Sequence, residues 1–135
     1  MLSIFEQFLA NAAEQPSSTL VTNLFTWGYN YYGELGDGTT GNKGSPTSIG
    51  THSWKLVVAG RYNTAAITPD NLLFIWGDNS YGTIDLVNPK VPNNIPVAGS
   101  WVQISSGNAH TLAIRSDGAL FGWGDNASGQ LGLPI

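Results

Sequence analysis

The chain has 135 residues and a mass of 14.3 kDa, enough for one domain with a core, since 41% of it is hydrophobic. Only 10% is charged, against about 25% in typical soluble domains, the net charge is −4, and the bases Lys43, Lys55, Arg61, Lys90 and Arg115 are scattered, which excludes a phosphate-neutralising surface for nucleic acid. The absence of cysteine excludes disulfides, thiolate metal sites and a Cys nucleophile, and no apolar run reaches the roughly 20 residues of a membrane-spanning helix.

Residues 2–15 read as a short amphipathic helix. Leu2, Phe5, Phe8, Leu9, Ala12 and Ala13 recur at offsets of three and four, and Ser3 with Glu6 has capping-box spacing. Pro16, Ser17 and Ser18 end it. The first basic residue is Lys43, so the positive n-region of a secretory signal is missing. A helix this short needs cover in water, which makes Phe5, Phe8 and Leu9 the docking face, against this domain or another subunit. Residues 1–18 form this helix and a linker; 19–135 form a repeat region.

From residue 24 the chain repeats. LFTWGYNYYGELG (24–36), LFIWGDNSYGTID (73–85) and LFGWGDNASGQLG (120–132) align on Trp27, Trp76 and Trp123. Between them, WKLVVAGRYNTAAITPDN (54–71) aligns with WVQISSGNAHTLAIRSDG (101–118) on Trp54 and Trp101. The repeats are 24–72, 73–119 and a partial 120–135. Alternating apolar residues at Leu56 and Val58, Ala65 and Ile67, Val102 and Ile104, and Leu112 and Ile114 predict strands. Asp70-Asn71 and Asp117-Gly118 supply tight hairpin turns, and Gly28, Gly77 and Gly124 mark a bend after each Trp. Strands are predicted at about 24–28, 54–60, 64–69, 72–77, 101–107, 110–116 and 119–123. A period near 48 residues with three or four antiparallel strands is that of a propeller blade. The fold class is therefore all-β: a partial β-propeller of about two blades plus part-blades, with the N-terminal helix.

The pattern L-F-x-W-G-x-N-x-x-G-x-L-G, followed by W-x-x-x-x-x-G-x-x-H-T-x-A-x-x-x-D-G, resembles the repeat of the regulator of chromosome condensation family across residues 20–135. Its best copy keeps Gly107, His110, Thr111, Asp117 and Gly118. The first copy has Asn63 where the family has His, and Thr83-Ile84-Asp85 replaces the Leu-Gly ending. The resemblance implies a seven-bladed propeller, of which this chain carries a part, either as a piece of a longer chain or as one copy in a closed or stacked assembly. Founding members of the family exchange guanine nucleotide on a small nuclear GTPase and bind chromatin; the loop residues and basic segment for those roles have no match here.

Catalytic chemistry lacks a footing. His110, in the repeat, is expected to hydrogen-bond the backbone of a neighbouring blade, and His52 lies in a turn. Neither keeps company with an activated nucleophile or paired carboxylates. Gly-Asp-Asn at 77–79 and 124–126 reads as Asx turns rather than Ca²⁺ ligands. No enzyme activity, metal or cofactor is expected. Trp27, Trp54, Trp76, Trp101 and Trp123 are expected to pack in and between blades. Tyr29, Tyr31, Tyr32, Tyr62 and Tyr81 fall in loops, where Tyr suits recognition. The expected function is a non-enzymatic structural or interaction module. Low charge and richness in Asn, Gly, Thr and Ser suggest a virion component such as a phage decoration, tail or fibre protein, which docks by its helix and presents its loops. The alternatives are an intracellular, cytoplasmic adaptor propeller and a carbohydrate-binding adhesin. Expected partners are proteins of a larger assembly, further copies of the chain or host-surface glycan, without nucleic acid or membrane insertion.

Overall fold

The computed structural model describes residues 23–81, 88–95 and 97–135. The helix expected over 2–15, with Phe5, Phe8 and Leu9, lies outside the described residues. The described chain is all-β, in nine antiparallel strands: β1 (Leu24–Gly28), β2 (Lys43–Ile49), β3 (Leu56–Ala59), β4 (Asn63–Ile67), β5 (Leu73–Gly77), β6 (Asn93–Asn94), β7 (Trp101–Ser106), β8 (His110–Arg115) and β9 (Leu120–Gly124).

They form three sheets, ordered β1-β2, β3-β4-β5-β6 and β7-β8-β9. Each is the same blade plan at a different degree of completion. The strand of sequence Leu-Phe-x-Trp-Gly occurs as β1, β5 and β9. β2 on β1 corresponds to β6 on β5, and β7-β8 corresponds to β3-β4.

The predicted turns are present. Asn71 adopts φ 66° and Gly118 φ 86°, the left-handed conformation that Asn and Gly tolerate. They close β4-β5 and β8-β9 in the same register: Thr64 opposes Trp76 and Thr111 opposes Trp123. Gly77 has φ 104°, and a Cβ there would strike the Tyr62 carbonyl oxygen, so the bend requires glycine.

β2 and β6 were not foreseen. β2 reads Lys-Gly-Ser-Pro-Thr-Ser-Ile and is mostly exposed; β6 is two asparagines. Outer strands with one neighbour bury too little to impose an alternating pattern, and an edge strand tolerates Pro46.

Two buried clusters hold the sheets together. One joins Ala65, Ile67, Leu73, Ile75, Ile95, Trp101 and Ala113. The other joins Leu24, Ile49, Trp54, Ala66, Phe74 and Trp76. β4 lies between them and is buried at all five positions.

Candidate interaction surface

The loop after β1 is organised around Asn30, which is fully buried. Its Oδ1 accepts from Leu35 N at 2.9 Å. Its Nδ2 donates to Asp37 Oδ1 at 3.2 Å and to the carbonyls of Thr39 and Gly41, each at 3.1 Å. Asn126, at the same place in the last repeat, accepts from Leu131 N at 3.0 Å. The Asn of the Trp-Gly-x-Asn motif is thus the hub that closes the loop. The Asn recurs at 30, 79 and 126 in the sequence, and the role is described at 30 and 126. The expected Asx turns are also there: Asp78 Oδ1 accepts from Ser80 N and Asp125 Oδ1 from Ala127 N, both at 2.9 Å. No group of three or more metal-ligating side chains occurs among the described residues.

This loop clamps one sheet to the next. The Glu34 carbonyl accepts from Thr64 Oγ1 at 2.7 Å and from the Trp76 indole N–H at 2.9 Å. Gly36, at φ 76°, gives Trp76 room: a Cβ there would come within 2.7 Å of Nε1. Across the next boundary Asn63 Nδ2 donates to Thr111 Oγ1 at 2.9 Å, and the backbone N–H groups of Arg61 and Tyr62 reach the carbonyls of Gly107 and Asn108 at 3.2 Å. So Asn63 performs the inter-sheet contact expected of the histidine in that repeat position. His110 itself packs over Gly107, and among the described residues its ring makes no such bond. His52 is exposed, yet its ring lies against Trp54 and Phe74 at 5.5 and 5.3 Å.

The clamp also carries an acid. Glu34 is only 7% exposed. One carboxylate oxygen accepts from Tyr32 N at 2.8 Å, while the other is buried without a partner. Gln130 occupies the matching place in the last repeat and fills both roles: Oε1 accepts from Ser128 N and Nε2 donates to Asp125, each at 2.8 Å. Burial pushes the Glu34 carboxyl above the usual glutamate range, against the backbone hydrogen bonds that lower it. An acid whose folded pKa is raised stabilises most below its unfolded value, about 4.3, and loses that contribution as pH rises through the folded value. Glu34→Gln should therefore gain stability over wild type as pH increases from about 4.3 towards neutrality. Paired urea melts across that range check it, and a pH-independent difference would refute it.

The tryptophans divide by their cover. Trp76 and Trp101 are buried, with Trp54, and Trp123 is half-buried. Trp54 lies 5.8 Å from Trp76, and Trp101 lies 5.6 Å from Trp123. Trp27 departs from the expected packing: it is 41% exposed, and among the described residues β1 pairs with β2 alone, without the neighbour that β4 provides for β5.

Trp27 leads into a ridge of tyrosines on the Asn30 loop. Tyr29 and Tyr31 stack with centroids 6.4 Å apart, Tyr31 meets Tyr32 edge-on at 5.0 Å, and Tyr32 meets Tyr62 at 5.2 Å. The Arg61 guanidinium sits 4.9 Å above the Tyr62 ring. Tyr29 and Tyr31 are 53% and 66% exposed, while Tyr32 and Tyr62 are half-buried beneath them. Burial first, then the negative charge of Asp78, raises the Tyr32 phenol, which favours its neutral O–H form. Tyr81 is exposed and joins no ring contact of this ridge among the described residues. Of the five loop tyrosines, four form one surface.

Family models for the regulator of chromosome condensation (RCC1) repeat match residues 23–67 and, in a second version, 54–83 and 101–130. Together they cover most of the chain. The chain belongs to the RCC1 repeat family. It is 37% identical to the human X-linked retinitis pigmentosa GTPase regulator over 59% of this chain and 8% of that protein. It is 33% identical to the Arabidopsis thaliana ultraviolet-B receptor UVR8 over 60% of this chain and 20% of that protein. Its fold matches Prp20p of Saccharomyces cerevisiae with a TM-score of 0.70 at 22% identity, covering 84% of this chain and 30% of Prp20p. The chain thus spans less than a third of the length of each relative. The RCC1 repeat accounts for the blades. A phage or bacterial setting has no support from these relatives.

Proposed function

We propose that this RCC1 repeat region is a non-enzymatic protein-binding module of the adaptor kind, and that the ridge of Tyr29, Tyr31, Tyr32 and Tyr62 with Arg61 is its contact surface. The observation that carries this is a contiguous aromatic surface, exposed at its crest, on a loop fixed from beneath by buried Asn30. Tyrosine brings large area at small entropic cost, with an O–H at its tip. Arginine and aromatic residues dominate interface energetics. The yeast relative Prp20p was described with its binding to Gsp1p and histones, which supports a protein over a glycan as the partner class. Composition is the whole support for placing the chain in a virion.

The test is a double variant, Tyr29→Ala with Tyr31→Ala. Exposed side chains on a loop contribute little to stability, within about 0.5 kcal/mol each, so the melt should stay near wild type. A partner captured by the wild-type chain should bind at least about tenfold more weakly, the loss expected for a hot-spot aromatic. Undiminished capture by the double variant would refute the ridge. Glycan-array binding lost in the same variant would favour the carbohydrate reading.

A further inference from the structure

The side chains of the ridge are not what the blade plan asks for. Tyr29 and Tyr31 stand where the later repeats have Asp78 and Ser80, then Asp125 and Ala127. Arg61 and Tyr62 stand where the next blade has Asn108 and Ala109. The loop after β9 nevertheless closes on Asn126 as the loop after β1 closes on Asn30. Three rings and a cation therefore occupy positions that the same loops fill elsewhere with small or polar residues.

The charges around the ridge are equally uneven. All five bases are among the described residues. Lys43 pairs with Asp37 at 3.2 Å, Arg115 pairs with Asp117 at 2.6 Å, and Lys55 Nζ donates to Asn71 Oδ1 at 2.8 Å. The remaining two, Arg61 and Lys90, are exposed, and among the described residues neither charged head meets an acceptor. Both belong to the ridge. Arg61 lies over Tyr62, and Tyr62 meets Tyr32. Lys90 packs on Gly33, the residue after Tyr32: a Cβ there would come within 2.7 Å of Lys90 Cα and 2.9 Å of its Cγ. The Lys90 carbonyl also accepts from Gly38 N at 2.8 Å, which ties it to the loop that carries the crest. One cation thus stands beside Tyr32 and the other on Tyr62. Asp78 is held between them, its N–H on the Tyr62 carbonyl at 2.7 Å and its charge acting on the Tyr32 phenol.

We propose that the partner of the ridge is an acidic segment of another protein, with carboxylates for Arg61 and Lys90 on either side of an apolar stretch that lies on the tyrosines. This names the partner chemistry of the surface described under the proposed function and rests on that reading. A carboxylate on each free cation makes a charge-assisted hydrogen bond, the stronger kind. A basic segment would set like charge against both. Asp78 repels an acid at the centre, so the middle of the segment is apolar and the acids flank it. The chain's net charge of −4 opposes an acidic partner at long range, so the attraction is local to these two groups and their removal is the decisive change.

The probe is a displayed library of random dodecapeptides, selected on the full chain, with the recovered peptides synthesised and titrated by fluorescence anisotropy. The recovered set should carry Asp or Glu on both sides of an apolar stretch, in excess over the unselected library. Arg61→Gln with Lys90→Gln should weaken these peptides at least about tenfold, the loss of one charge-assisted contact or more. Both side chains are exposed, so the melt should stay near wild type. Arg61→Glu with Lys90→Glu should exchange the selected acids for Lys and Arg. Peptides without acidic excess that are still lost in Tyr29→Ala with Tyr31→Ala overturn this inference and leave the ridge standing. Peptides lost in neither variant, or no recovered peptides, overturn the ridge as well. Inorganic phosphate that displaces the peptides more strongly than chloride at equal ionic strength overturns the carboxylate in favour of a phosphorylated segment. Self-association of the chain that Arg61→Gln abolishes overturns it in favour of a second copy.

Discussion

Trp76→Ala is expected to destabilise the chain by roughly 3–5 kcal/mol, the cost of deleting a buried aromatic side chain. The indole is 0% exposed. It packs against Trp54, and its N–H donates 2.9 Å to the Glu34 carbonyl. Truncation opens a cavity between two sheets and also removes a donor from a buried carbonyl, which adds about 1 kcal/mol. Thr64 still donates to the same oxygen, so that part of the loss is incomplete. Trp27→Ala deletes the same residue type at the same repeat position and should cost less than about 1.5 kcal/mol, the lower value for a fully buried apolar side chain. Urea melts of the two variants decide it. Equal losses would mean that Trp27 is covered in solution.

The contrast between these tryptophans marks the boundary of what the residues alone disclose. The strands with Leu-Phe-x-Trp-Gly and the Asp-Asn and Asp-Gly turns were readable, because their side chains carry the instruction locally: alternation places one face inward, and the turn residues accept a left-handed backbone. β2 and β6 were not, because their residues answer to a neighbouring strand rather than to a buried face. Whether a repeat tryptophan is buried depends on which strand lies beside it. Trp76 and Trp27 share their motif, but among the described residues only the strand of Trp76 has a neighbour on both sides.

The surface was legible in proportion to its locality. Tyr29, Tyr31 and Tyr32 stand together in the sequence and in space. Tyr62 comes from the next blade, placed by the backbone bond of its carbonyl to Asp78 N at 2.7 Å, which no local pattern announces. Tyr81 belongs to the same residue class but follows β5, not β1, and joins no ring contact of the ridge among the described residues. The structural role of Asn63 was hidden for a different reason. It replaces a histidine yet keeps the inter-sheet contact, since an amide N–H reaches Thr111 as well as an imidazole would.

The ridge is only as ordered as the loop beneath it, and Asn30 is where that loop is fixed. Asn30→Asp is close to isosteric, so it tests chemistry without a cavity. The acceptor to Leu35 N is kept. The donor becomes an oxygen facing Asp37 Oδ1 and the carbonyls of Thr39 and Gly41. Three acceptors then confront a fourth in a site that water does not reach. An unmet buried polar group costs about 1–3 kcal/mol, and ionisation of the new carboxyl beside Asp37 would add like-charge repulsion. The new acid escapes by taking up a proton, which restores one donor. Asn30→Asp should therefore lose about 2–3 kcal/mol at neutral pH and recover part of it as pH falls through the raised pKa of the new carboxyl. Asn30→Ala should lose a similar amount with no such recovery. In both variants hydrogen exchange at Leu35 and Gly36 should quicken before the β4-β5 hairpin opens, because the loop and not the sheet has been released. Protection at Leu35 equal to wild type in Asn30→Ala would show that the loop is held by the Glu34 clamp alone.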